Sequence, residues 1–151
     1  MLHIVLWEPE IPPNTGNVAR LCAATATRLH LVGRLGFRLD DRRLRRAGLD
    51  YWSAVDLAVH ADWEEFLAQA QPSQVWLVST KAKQNYTTCR FQDGDCLLFG
   101  SESKGLPASF HERYRDMSIT IPMISDNVRS LNLATAVSVV LYEALRQVNG
   151  W

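Results

Sequence analysis

Cysteine is scarce in this chain: there are three, Cys22, Cys89 and Cys96, and none belongs to a CxxC pair. An odd, unpaired set argues against a disulfide framework or a structural zinc cluster and fits a reducing, cytoplasmic setting. The histidines (His3, His30, His60, His111) show no ligand spacing, so no metal is expected. Net charge is also missing, since 16 Lys and Arg balance 16 Asp and Glu. A nucleic-acid partner must therefore be read from local clusters. No apolar run nears the roughly 18 residues that a membrane span needs. The opening LHIVLW lacks the basic region and long apolar core of a secretory leader, so no membrane role is expected. Linkers, repeats and low-complexity segments are absent as well.

What is present is the makeup of an ordinary globular domain: 151 residues, 47% hydrophobic and 21% charged. We read residues 1–151 as a single domain. Leu2–Trp7 reads as a first strand, ended by Glu8-Pro9. After Pro12-Pro13, Asn14 is a plausible N-cap, and Val18, Leu21, Cys22 and Thr25 share one face of the helix that follows. Leu29–Gly33 reads as the second strand, which completes a β-α-β unit. Asp41 caps a short basic helix ending at Gly48, and Asp62 with Glu65 forms a capping box for a helix to about Ala70. Strands are expected at Val75–Thr80, Cys96–Gly100 and Ser118–Ile121, and a surface loop over Lys81–Phe91. The last helix runs from about Ser130, its expected N-cap, to Val148, with an apolar stripe from Leu133 to Val148. Alternating strands and helices predict an α/β fold, a mainly parallel sheet flanked by helices.

Three polar segments could carry chemistry. Asn14-Thr15-Gly16-Asn17-Val18-Ala19-Arg20 opens the first helix, where free N–H groups and the dipole attract phosphate. From spacing alone, a capped surface helix with a solvated Arg20 explains it better. The second, LLFGSESKGLP, stops a buried strand at Gly100 and opens a polar loop closed by Gly105. In α/β folds ligands sit at such carboxyl ends, although a plain strand-to-helix turn has the same residues. The third runs from Ile121-Pro122-Met123 to Ser130-Leu131-Asn132-Leu133, with Asn132 expected in the first helical turn. Arg38, Arg42, Arg43, Arg45 and Arg46 form a basic cluster that suits either RNA phosphates or a solvated helix face.

Together, NTGNVAR, LLFGSESKGLP and IPM…SLNLATAVSVVLYEA resemble the three signature motifs of the SPOUT class of RNA methyltransferases. Order and spacing match over essentially the whole chain. The opening IVLWEPEIPPNTGNVARLCAAT and the segment DDRRLRRAGLDYW resemble the minimal subfamily, tRNA (cytidine/uridine-2′-O-)-methyltransferases acting at wobble position 34. The resemblance implies a C-terminal trefoil knot, a topology that general rules of chain connection disfavour. It implies S-adenosyl-L-methionine as cofactor, lined by Val78, Thr80, Gly100, Glu102, Gly105, Ile121, Met123, Ser130, Asn132 and Leu133. It also implies a homodimer, with the first and last helices at the interface, and a tRNA substrate. Arg20 would be the central catalytic group, with Asn14 positioning the ribose and Tyr142 on a proton path. Asn17, Arg42, Arg43, Arg45 and Arg46 would contact RNA. Methylation of a ribosomal RNA ribose, or a knotted RNA-binding module without catalysis, are the alternatives.

Overall fold

The apolar N-terminal run forms β1 (His3–Trp7) in a computed structural model that describes residues 1–151, apart from the side chains of residues 49 and 50. The chain continues through α1 (Pro12–Thr25), β2 (Arg28–Val32) and α2 (Arg42–Gly48), then a 3₁₀ turn over Leu49–Ala54. Next come β3 (Leu57–His60), α3 (Trp63–Ala70), β4 (Val75–Val78) and β5 (Gln84–Asn85). The last third holds β6 (Cys96–Phe99), α4 (Ala108–Arg113), β7 (Ser118–Thr120) and α5 (Leu133–Asn149). All seven strands join one sheet in the order β3-β2-β1-β6-β4-β7-β5, and every pairing is parallel. Parallel strands need covered faces. One face packs Val18, Cys22, Val137, Leu141 and Ala144 of α1 and α5, and the other packs Trp63, Phe66 and Phe110 of α3 and α4. Among the described residues no helix is long and apolar enough to cross a membrane.

Several expectations need correction. The N-cap of α1 is Ile11, with Pro12 and Pro13 at its first positions. Proline suits N1 because its missing N–H would be unpaired there anyway. Asn14 is inside the helix and buried, 8% exposed. The cap of α5 is Asn132, whose side chain accepts from the Thr135 N–H at 3.3 Å, so Ser130 caps nothing and lies before the helix. The strands stop at Val32, Val78, Phe99 and Thr120, so Gly33, Thr80, Gly100 and Ile121 belong to the loops beyond them. The segment 81–91 is more than a surface loop: it contains β5 and buries Cys89 and Phe91. Gln147 of α5 pins it, accepting from the Phe91 N–H at 2.9 Å and donating to the Cys89 carbonyl at 3.2 Å. The apolar stripe of α5 packs into this core, with Val137, Val140, Leu141 and Ala144 fully buried and Leu133 and Val148 partly buried. The Asp62 cap formed as expected, accepting from the Glu65 N–H at 2.8 Å. Glu65 reaches back to the Ala61 N–H instead of that of Asp62.

Strand register also joins three histidines. Val5 of β1 lies opposite His30 of β2, and Val32 of β2 lies opposite His60 of β3. His3, His30 and His60 therefore climb diagonally across the sheet. His3 Nδ1 meets His30 Nε2 at 2.9 Å, and His30 Nδ1 meets His60 Nε2 at 2.9 Å. All three are buried, and the edge of Phe66 covers His30 and His60. Burial first, then the neighbouring imidazoles and Arg28, pushes His30 down to about 3, and burial lowers His3 and His60 too.

Candidate active site

Strands β4, β6 and β7 end side by side, with Val78 paired to Phe99 and to Ile119. The loops leaving these ends, the start of α1 and the start of α5 enclose a cleft of about 530 Å³, within the ~300–1,000 Å³ usual for small-molecule sites. All ten residues expected around the cofactor line it: Val78, Thr80, Gly100, Glu102, Gly105, Ile121, Met123, Ser130, Asn132 and Leu133. So does Asn14. The rim also carries Lys104, from the second motif, and Lys81, Arg129 and His111, single basic residues that give no spacing signal. Burial and the neighbouring Lys81 ammonium hold His111 below the usual imidazole value.

The Gly100–Gly105 loop is a tight reversal. Ser101 and Gly105 exchange two backbone hydrogen bonds, at 3.2 and 2.9 Å. A Cβ on Gly100 would stand 2.4 Å from the Gly105 carbonyl carbon and 2.6 Å from the Leu106 nitrogen. Only glycine permits that approach. Gly105 takes φ +66°, a left-handed value that also favours glycine.

The carboxylate of Glu102 does not hang free in the cleft. It accepts from the backbone N–H of Glu10 at 2.9 Å, from that of Ile11 at 2.8 Å, and from Asn14 Nδ2 at 3.2 Å. Glu10 answers by accepting from the Ser103 hydroxyl at 2.7 Å and the Ser103 N–H at 3.1 Å, bonds that hold its carboxyl below the usual range. Each segment thus grips the other's backbone. Asn14 Oδ1 in turn accepts from Asn132 Nδ2 at 3.0 Å. One relay, Glu102–Asn14–Asn132, joins all three polar segments. An ionised carboxylate can only accept, so Asn14 must turn its NH₂ to Glu102 and its oxygen to Asn132. Sequence alone leaves Glu102 as a cofactor contact; its observed partners make it the clasp that seats the first helix.

The remaining expected site residues lie outside the cleft. Arg20 is exposed on α1, with its guanidinium 5.3 Å from the centre of the Tyr51 ring. Tyr142 is exposed on α5. Asn17, Arg42, Arg43, Arg45 and Arg46 are all exposed, the four arginines surrounding the buried Leu44 of α2. Arg43 pairs with Asp41 at 3.3 Å, and Arg45 lies 4.8 Å over the Trp52 ring. Gly16, inside the first motif, faces α2 instead of the cleft: a Cβ there would meet Ala47 Cβ and the Leu44 carbonyl at 2.5 Å. No group of three or more His, Cys, Asp or Glu among the described residues could hold a metal.

Residues 1–142 match the SpoU rRNA Methylase family. The chain is 50% identical over 149 residues to the tRNA (cytidine(34)-2'-O)-methyltransferase of Escherichia coli strain K12, covering 98% of this chain and 94% of that protein. A solved structure described as giving insights into the 2-OH methylation of C/U34 on tRNA superposes with a TM-score of 0.94 at 48% identity, over 100% of this chain and 98% of that one. An AdoMet-bound rRNA methyltransferase from Sinorhizobium meliloti superposes with a TM-score of 0.84 at 25% identity, over 96% of this chain and 56% of that one. The parallel sheet, its strand order and the C-terminal trefoil knot are those of the SPOUT fold.

Proposed function

The chain belongs to the SpoU rRNA Methylase family, and from that premise we propose that it methylates the 2′-hydroxyl of a tRNA ribose, cytidine or uridine at wobble position 34, using S-adenosyl-L-methionine. The observation that carries the reading is the Glu102–Asn14–Asn132 relay, which draws three separate segments around one cleft at the strand ends. The cleft also fits the cofactor chemically. Phe99, Leu106, Ile121 and Leu133 offer apolar surface for a purine, and Thr80, Ser101 and Ser130 stand among them with hydroxyls.

When bound, S-adenosyl-L-methionine supplies a methyl group on a sulfonium. The protein must then hold the attacking oxygen about 3 Å from the methyl carbon and in line with it, largely a task of positioning. Asn14 and Asn132, locked by Glu102, present fixed polar groups on that wall. Arg20 is not the base, because a guanidinium does not give up its proton in proteins. It steadies the oxyanion as it forms, and a phosphate of the RNA accepts the proton. Arg20 of one chain lies outside that chain's own cleft, so a second copy delivers it, which makes the homodimer part of the site. Tyr142, exposed on α5, belongs to the same contact. Arg42, Arg43, Arg45, Arg46 and Asn17 meet the RNA backbone, giving affinity that weakens with salt.

The test is methyl transfer from labelled cofactor to total tRNA and, in parallel, to ribosomal RNA, with mapping of the modified nucleotide by resistance to alkaline cleavage. Label at the ribose of nucleotide 34 is expected. Label confined to ribosomal RNA, or none despite cofactor binding, rejects the assignment. Mixing Arg20→Ala and Gly100→Ala subunits should restore activity beyond that of either variant alone.

A further inference from the structure

We propose that Tyr51 is a positioning residue for Arg20, and that the α2 segment and the 3₁₀ turn after it form a bracket that holds the catalytic guanidinium in one plane. The proposal rests on the reading of Arg20 given above. Arg20 is exposed on α1, and the described contact of its guanidinium is the Tyr51 ring, 5.3 Å from the ring centre. A cation over an aromatic face is drawn to the negative face of the ring, and a planar guanidinium can lie flat on it. The ring limits the tilt of a side chain that would otherwise sweep through solvent.

Close packing sets Tyr51 in place from two directions. α1 and α2 approach so tightly at Gly16 that a Cβ would stand 2.5 Å from the Leu44 carbonyl oxygen. At Gly48 a Cβ would stand 2.3 Å from the Trp52 indole nitrogen. That indole donates to the Arg45 carbonyl at 3.1 Å, while the Arg45 guanidinium covers the Trp52 ring at 4.8 Å. Trp52 thus ties the turn back onto α2 beside Tyr51. Gly16, in the first motif, and the segment 42–52 therefore act together to bring an aromatic ring against Arg20. The basic charge of α2 does not explain why the turn carries two adjacent aromatics, nor why a motif glycine faces α2.

Tyr51 is 46% exposed, so its hydroxyl and one edge are free, and the same ring could stack on an unpaired base instead. Steady-state kinetics on tRNA separates the two roles. Tyr51→Leu should lower kcat about two- to fivefold, the loss of one exposed cation–π contact, with KM for tRNA and for the cofactor unchanged. Tyr51→Phe keeps the ring face and should restore kcat to within about twofold. A rise in KM for tRNA at constant kcat overturns the proposal in favour of base stacking. An unchanged kcat in Tyr51→Leu also overturns it while leaving the role of Arg20 intact. Full activity in Arg20→Ala instead removes the reading of Arg20 on which it rests. Should Tyr51→Leu not fold, the Arg20 Nε–H proton of the wild-type protein, assigned with Arg20→Lys, decides the matter. A ring-current shift that persists in Tyr51→Phe supports the bracket, and a solvent-like shift overturns it.

Discussion

Two chains of side-chain hydrogen bonds each link three segments of this molecule, one at the rim of the cleft and one inside the sheet. At the rim, Glu102, Asn14 and Asn132 connect the loop after β6, the start of α1 and the cap of α5. Inside, His3, His30 and His60 connect β1, β2 and β3. The rim relay is anchored by a carboxylate whose oxygens accept from three donors, so its polarity is set. The ladder has no charged anchor. Its members must be neutral, its two bonds must run in the same direction, and it ends at His60 Nδ1, which has no partner. A charged acceptor beside solvent gives orientation at little cost, whereas a buried neutral chain gives cohesion that protons can remove.

The comparison can be broken at the rim first. Glu102→Ala leaves the Glu10 and Ile11 N–H groups and the Asn14 amide without their acceptor. Urea denaturation should show a loss of about 3 kcal/mol, and methyl transfer should fall at least ~100-fold as the α1 segment shifts by a fraction of an ångström or more. Near-normal transfer would show that the relay does not position the site. Gly100→Ala should cost about 2 kcal/mol, since the new methyl meets backbone that cannot swing aside. It should also weaken cofactor binding in calorimetry, and unchanged binding would mean that the loop does not hold the cofactor.

The ladder is probed with pH. Unfolded imidazoles bind protons below about 6.5, while His30 in the folded chain resists them down to about 3. Stability is therefore complete above pH 6.5 and is lost as pH falls below it. His30 alone contributes a slope of about 1.4 kcal/mol per pH unit between those values, and His3 and His60, lowered in the same direction, steepen it. Urea midpoints between pH 7.5 and 5 should follow that slope, and a flat profile would sink the account of a ladder that must stay neutral. The smallest effect sharpens the contrast. Asn132→Ser keeps a good cap but loses the bond to Asn14. Stability should stay within about 0.5 kcal/mol, while transfer drops roughly tenfold, the loss of one well-placed hydrogen bond. Equal losses in both would make Asn132 only a cap.

Strand and helix order could be read from apolar periodicity, because that signal is local. The edges of the elements could not. Pro12-Pro13 marked the start of α1 by a local rule, yet Asn14 looked like the cap because its true partners, Glu102 and Asn132, lie 88 and 118 residues away. β5 has two residues, Gln84 and Asn85, and no apolar pattern; only its pairing with β7 defines it. The ten cleft residues were legible only through the chain's resemblance to a known family, and they lie at or near strand ends and the start of α5. Lys81, Arg129 and His111 were not, since nothing in their own neighbourhoods sets them apart.

By itself the sequence determined an α/β chain with polar loops at its strand ends and a glycine at Gly100, where the chain turns back on itself. These follow from hydrophobic period and steric size, properties of a residue and its near neighbours. Tertiary structure alone decided that Glu102 clasps the first helix, that Tyr51 covers Arg20, and that histidines 27 and 30 positions apart stand 2.9 Å from one another. Those outcomes depend on strand register and helix approach. Both arise when long loops close and distant side chains are forced to share one boundary with water.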